Sequence, residues 1–93
     1  MEFEWDPAKA VANLRKHRVP FLMACEVFKD ASKLEHQDAS SYYDEERWIV
    51  LGCVGQKILS VVYTQRGQRI RLISARRANR NEQRTYWTGD IPA

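Results

Sequence analysis

Seven arginines lie between positions 66 and 84: Arg66, Arg69, Arg71, Arg76, Arg77, Arg80 and Arg84. One acidic residue, Glu82, stands among them, and there is no lysine. A guanidinium is planar, always charged, and presents a fork of donors that fits phosphate oxygens two at a time. So one-sided a stretch suits an anionic partner, of which phosphate is the commonest. The bias is local. Residues 1–65 carry a balance of −2 and residues 66–93 one of +5, which gives the net +3 of the 93-residue chain. The blander reading is a solvated face with arginine stems packed on the fold.

Three roles would be needed to break an RNA phosphodiester without a metal. One group takes the proton of the 2′-hydroxyl, another protonates the leaving oxygen, and fixed positive charge stabilises the phosphorane-like transition state. Arginine suits the last role because its charge does not titrate. Lys16, His17, Glu82, Tyr86 and Tyr63 are the residues available for proton transfer. Each has a structural alternative: Lys16 and His17 as helix-end cations, Glu82 as a capping residue, the tyrosines as core. His36 sits in a polar stretch and is assigned no role. Tyr63, Tyr86 and Trp87 are interleaved with the arginines, and unpaired bases stack on such rings. No Asp/His cluster has magnesium or zinc spacing, so no metal or other cofactor is expected.

These side chains must be held by a small scaffold. Glu2 to Trp5 alternates as a short strand. Asp6-Pro7 is a helix start, with Asp6 as N-cap and Pro7 at the first helical position. That helix should run to about His17 with Val11 and Leu14 on its buried side, and Val19-Pro20 should break it. A second helix is predicted over about Phe21 to Phe28. The period then changes to two: a weak edge strand over Leu34 to Asp38, then Trp48 to Val54, Lys57 to Thr64 and Arg69 to Ala75. The turns at Gly55-Gln56 and Arg66-Gly67 make the last three antiparallel. Asn79 and Glu82 have capping-box spacing for a final helix ending before Gly89. The order β-α-α-β-β-β-β-α defines an α+β domain: an antiparallel sheet of four to five strands, two N-terminal helices on one face, and a C-terminal helix. Alternation along the last strand puts Ile70, Leu72 and Ser74 on the core face and Arg69, Arg71 and Ile73 on the other. Arg76 and Arg77 follow at its exit, and the arginines are expected to converge on the open face beside the last helix.

Ninety-three residues make one domain, 1–93. No apolar run approaches the roughly 20 residues of a membrane span. The acidic start MEFEWD lacks a signal region. Cys25 and Cys53 sit in apolar runs as reduced core residues. A cytoplasmic protein is expected. Neither a helix-turn-helix nor a ribbon-helix-helix start is found for direct DNA reading.

Phe3-Glu4-Trp5-Asp6 with Lys9, Asn13 and Lys16-His17 resembles the opening of the BrnT family, the toxins of BrnT/BrnA pairs. Phe21, Ala24, Phe28 and Asp30 continue the likeness, as do Glu46-Arg47-Trp48 and Gly52. Ile73-Ser74-Ala75-Arg76-Arg77-Ala78 with Glu82 and Tyr86 resembles its C-terminal signature. The chain departs where the family usually has glycine after Lys-His: here it has Arg18, which argues against a left-handed helix end. It also has Tyr43-Asp44-Glu45-Glu46 where Tyr-Gly-Glu is common, which suggests an altered turn.

The resemblance implies a RelE-like fold and a metal-independent endoribonuclease that arrests growth. It also implies a BrnA-like ribbon-helix-helix antitoxin, with operator DNA reached only through that partner. On this reading Arg71 and Arg76 clamp phosphate, and Lys16, His17, Glu82 and Tyr86 form the proton-transfer pool. Arg66, Arg69, Arg77, Arg80, Arg84 and Trp87 would hold flanking nucleotides. The alternative is a non-catalytic RNA- or ribosome-binding module using the same basic face.

Overall fold

The computed structural model describes residues 1–38 and 45–90. Its elements are β1 (Glu2–Glu4), α1 (Pro7–His17), α2 (Phe21–Ala24), a 3-10 turn (Cys25–Lys29), β2 (Leu34–Gln37), β3 (Trp48–Val54), β4 (Lys57–Arg66), β5 (Arg69–Arg77) and α3 (Arg80–Thr88). The fold is α+β in the expected order of elements. The five strands form one sheet in the order β1-β5-β4-β3-β2. Four of them run antiparallel, while β1 joins β5 in parallel, so the sheet is mixed. The altered turn expected at Tyr43-Asp44 falls outside the described residues.

Local chemistry sets the ends of these elements. The Asp6 side chain accepts from the Ala8 amide at 2.8 Å, with Pro7 opening α1. Asn79 and Glu82 complete the capping box of α3, which closes on Gly89 at φ 77°. Gly55 leads the β3–β4 turn at φ 62°. The β4–β5 turn falls on Gly67-Gln68, one residue later than expected, because Arg66 pairs with Arg69. α1 does end in a left-handed residue, Arg18, at φ 61° and ψ 25°. The Arg18 amide donates to the Leu14 carbonyl at 2.9 Å, so the helix keeps its terminal bond at a conformational cost of about 1–2 kcal/mol for a residue with a Cβ.

The buried side of α1 differs from expectation. Val11 and Leu14 are 51% and 45% exposed, and the residue that faces inward is Asn13. Beyond Arg71, β5 has no paired neighbour on the β1 side. The Asn13 amide fills that role. It donates to the Ala75 carbonyl at 2.8 Å and accepts from the Ala75 amide at 3.1 Å, which satisfies both backbone groups as a strand would. Val11, Leu14 and Leu22 instead line an apolar groove with Trp5 and Phe21.

The main core lies between the sheet and α1–α2. Val50, Leu59, Val61, Tyr63, Ile70, Leu72 and Ala75 meet Val19, Phe21, Ala24, Val27 and Phe28. Gly52 is required here: a Cβ would sit 2.7 Å from the Val27 Cβ. A second, smaller core of Leu51, Ile58, Ala78 and Tyr86 holds α3 on the other face.

Candidate nucleic-acid interface

Which arginines reach the open face is decided by a bulge. Val62 pairs with Ser74 and Tyr63 with Leu72, so Ile73 is an extra residue in β5. An inserted residue reverses the alternation beyond it. Ala75 therefore joins Ile70 and Leu72 in the core. Ser74 and Arg76 move to the open face with Arg69 and Arg71, which corrects the expected placement of Ser74. Arg77 pairs with the core residue Leu59 and lies on the α1–α2 face, away from Arg76.

The arginines fall into distinct settings. Arg66 meets Glu45 at 2.8 Å. Arg69 meets Glu2 at 3.4 Å, and Arg71 meets Glu4 at 2.6 Å. The last two pairs follow from the parallel register that places Glu2 beside Arg69 and Glu4 beside Arg71. Arg76 binds Glu82 with both terminal nitrogens, at 2.7 and 2.9 Å. Arg80, Arg84 and Trp87, spaced by four and three, form an exposed stripe on the side of α3 opposite Glu82 and Tyr86. Trp87 is 71% exposed and meets the Tyr86 ring edge-on at 5.0 Å. Full convergence is thus not observed: Arg76 stands at α3, Arg66, Arg69 and Arg71 stand at the far end of the sheet, and Arg77 is on the other face.

Beside the Arg76–Glu82 pair is a cleft of about 280 Å³ between α3 and the sheet. Leu34, Ile49 and Leu51 form its floor. His36 borders it from β2, and Asn79, Asn81, Glu82 and Thr85 border it from the helix side. The sheet register explains the composition, since Leu34 pairs with Leu51 and His36 with Ile49 on one face. His36 is the residue that the sequence reading passed over. The alternation Leu34-Glu35-His36-Gln37 carried the signal, because it sets His36 on the face of Leu34.

Glu82 accepts three bonds: two from Arg76 and one from the Asn79 amide at 2.8 Å. Burial acts to raise its pKa, but the Arg76 and Asn79 bonds outweigh it and hold the carboxyl below its ordinary range. The same pairing raises the Arg76 pKa. Tyr86 is differently placed. Its hydroxyl donates to Asp30 at 2.6 Å inside the second core. Burial first, then Asp30, pushes the phenol up to about 12. Asp30 also accepts from the amides of Cys53 and Ser32. Burial acts to raise its carboxyl, yet these bonds hold it low. Tyr63 is buried in the main core, on the α1–α2 side, with its hydroxyl on Glu35 at 3.2 Å. Burial and Glu35 push it to about 12 as well. Lys16 and His17 line a separate hollow with Lys9, Asn13, Ile73 and Ser74 at the β5 edge. The cleft therefore gathers Glu82 of the sequence-predicted proton-transfer group, and neither Lys16 nor His17 borders it.

The structure thus combines a mixed-sheet α+β fold with a cleft beside an arginine–carboxylate pair. The family model described as "Ribonuclease toxin, BrnT, of type II toxin-antitoxin system" matches residues 5–82. The chain belongs to the BrnT family, ribonuclease toxins of type II toxin–antitoxin systems. An antitoxin partner and an RNA target come with that family. No curated protein matches the sequence. Among the described residues no helix is long and apolar enough to cross a membrane.

Proposed function

We propose that the chain is a metal-independent endoribonuclease acting at the Arg76–Glu82 cleft. The observation that carries this is the bidentate pair itself, set at the edge of an open cleft with a histidine on the sheet side. Arg76 receives the scissile phosphate in the fork now filled by Glu82. A phosphate oxygen competes with the carboxylate for the same donors, so substrate binding releases Glu82 and restores its basicity. Glu82 takes the proton of the 2′-hydroxyl, and the 2′-oxygen attacks phosphorus. The bond from phosphorus to the 5′-oxygen breaks, and that oxygen takes a proton from His36. The products are a 2′,3′-cyclic phosphate and a free 5′-hydroxyl.

Tyr86 plays a structural part in this scheme, since its proton is committed to Asp30. Lys16 and His17 border the path of the strand at the β5 edge rather than the reacting phosphate. Arg71 shares the open face with Arg76, roughly 13 Å along the sheet: four steps of about 3.3 Å on the paired β4, from Thr64 to Ser60. It serves a flanking phosphate, with Arg66 and Arg69 beyond it. Arg77, Arg80, Arg84 and Trp87 hold outlying nucleotides. We place the domain in the RelE-like class and in the cytoplasm, neutralised by a BrnA-like ribbon-helix-helix antitoxin through which operator DNA is reached.

The test is direct. Antitoxin-free protein given single-stranded RNA and excess EDTA should produce defined cuts with cyclic-phosphate ends. Cutting that stops in the chelator would remove the metal-free mechanism. The exposed Arg80–Arg84–Trp87 stripe favours a second reading, an RNA- or ribosome-binding module without chemistry. Binding without new RNA ends would select it.

A further inference from the structure

The cleft has two kinds of surface that cleavage alone does not use. Its floor is aliphatic, from Leu34, Ile49 and Leu51. Its border carries an unspent hydrogen-bonding group. Among the described residues the Asn81 amide side chain has no hydrogen-bond partner. Thr85 and Asn79 differ: the Thr85 hydroxyl donates to the Asn81 carbonyl at 3.1 Å, and the Asn79 side chain accepts from the Glu82 amide. An apolar floor with a polar amide at its border matches a flat ring with apolar faces and a polar edge. The volume, about 280 Å³, lies at the small end of ligand pockets, which begin at roughly 300 Å³. A single base fits this description, and a base pair or a stacked run does not. Position adds a second argument. Glu82 borders the cleft and binds Arg76, so a ligand there lies one residue from the phosphate site.

We infer that the cleft is a nucleobase subsite: one unpaired base, splayed from the strand, lies on Leu34 and Ile49 with its edge toward Asn81, next to the phosphate held by Arg76. This inference rests on the proposed reading of Arg76 as the phosphate site and deepens it. Sequence-specific recognition of RNA depends on splayed bases read along their edges. The cleft is then where the protein chooses its cutting position. Asn81 is a specificity residue with both a donor and an acceptor, and exchanging its NH₂ for an oxygen inverts half of that pattern.

The experiment uses the full chain and two kinds of probe, inorganic phosphate and the four nucleoside 3′-monophosphates, followed by NMR. Phosphate should move the Arg76 side-chain signals and leave the methyls of Leu34 and Ile49 in place. At least one nucleotide should also move the methyls of Leu34 and Ile49 and the Asn81 side-chain amide. Ile49→Trp fills the floor and should lower affinity for that nucleotide about tenfold while leaving the phosphate response at Arg76 unchanged. Asn81→Asp should change which nucleotide binds best and which base flanks the mapped cuts. Nucleotides that shift only what inorganic phosphate shifts would overturn the subsite and leave the phosphate site standing. Base-dependent shifts in the cleft with a silent Arg76 would overturn the phosphate site instead. An Asn81→Asp protein with unaltered base preference would also defeat the assignment of the specificity residue.

Discussion

The two ends of β5 carry the same residue type in opposite circumstances. At the Arg69–Arg71 end, β1 lies alongside in parallel and supplies Glu2 and Glu4, so each arginine has an acid from another strand. At the Arg76 end β1 has stopped, Asn13 takes over the strand edge, and the acid comes from α3. The first arrangement is an ion-pair ladder across a sheet edge. The second sits against a cleft. Counting arginines does not separate these two settings; the source of the counter-charge and the space beside it do.

The largest effect should come from Arg76→Ala, which we expect to slow RNA cleavage by 100-fold or more, of the order seen when one transition-state donor is lost. Thermal unfolding of the same protein checks that the fold survives. Arg71→Ala should slow cleavage by about tenfold or less, through one lost flanking phosphate contact. A reversed order in these rates would invert the comparison.

Next in size are effects on the scaffold. Gly52→Ala drives a Cβ into Val27 and should cost about 1–3 kcal/mol in denaturant unfolding. Tyr86→Phe should cost about 2 kcal/mol, because a buried bond to a charged acceptor is lost, and leave the rate of cleavage unchanged. Asp30 and Glu82 are both held below their ordinary pKa. Their contribution to stability is complete above about pH 4, the unfolded carboxylate range, and is lost as pH falls through the lower folded values. Melting curves between pH 7 and pH 2 should show Asp30→Asn losing less stability on acidification than the parent. Equal losses would count against the Tyr86–Asp30–Cys53 linkage.

Smaller still, Arg18→Gly should raise stability by about 1 kcal/mol, since glycine adopts the left-handed φ of 61° without strain. Glu2→Ala should change it by about 0.5 kcal/mol or less, because the pair to Arg69 is exposed.

What the sequence made legible was local. The Asp6-Pro7 start, the Asn79–Glu82 box and the Gly55 turn each depend on neighbours a few residues apart, and each appears where expected; the strands do so with ends shifted by a residue or two. Distant partners were not legible. The parallel pairing of β1 joins Glu4 to Arg71, 67 positions away. Asn13 bonds Ala75 across 62 positions, and nothing in a helical pattern marks an asparagine as the inward residue in preference to Val11 or Leu14. The bulge at Ile73 moved Ser74 from the expected core face to the open face, and the flanking residues keep good strand character through it. The candidate site was half legible: Arg76 stands six residues from Glu82, whose place in a capping box the spacing marked, while His36 needed the sheet register to bring it to the same cleft.

The measurement that bears most directly on this account is the rate of RNA cleavage by Arg76→Ala against Arg69→Ala, on one short single-stranded RNA with ends mapped. The account predicts that Arg69→Ala cuts at the parental positions and nearly the parental rate, and that Arg76→Ala leaves the RNA intact while remaining folded. A folded Arg76→Ala protein that cuts as the parent does would contradict it.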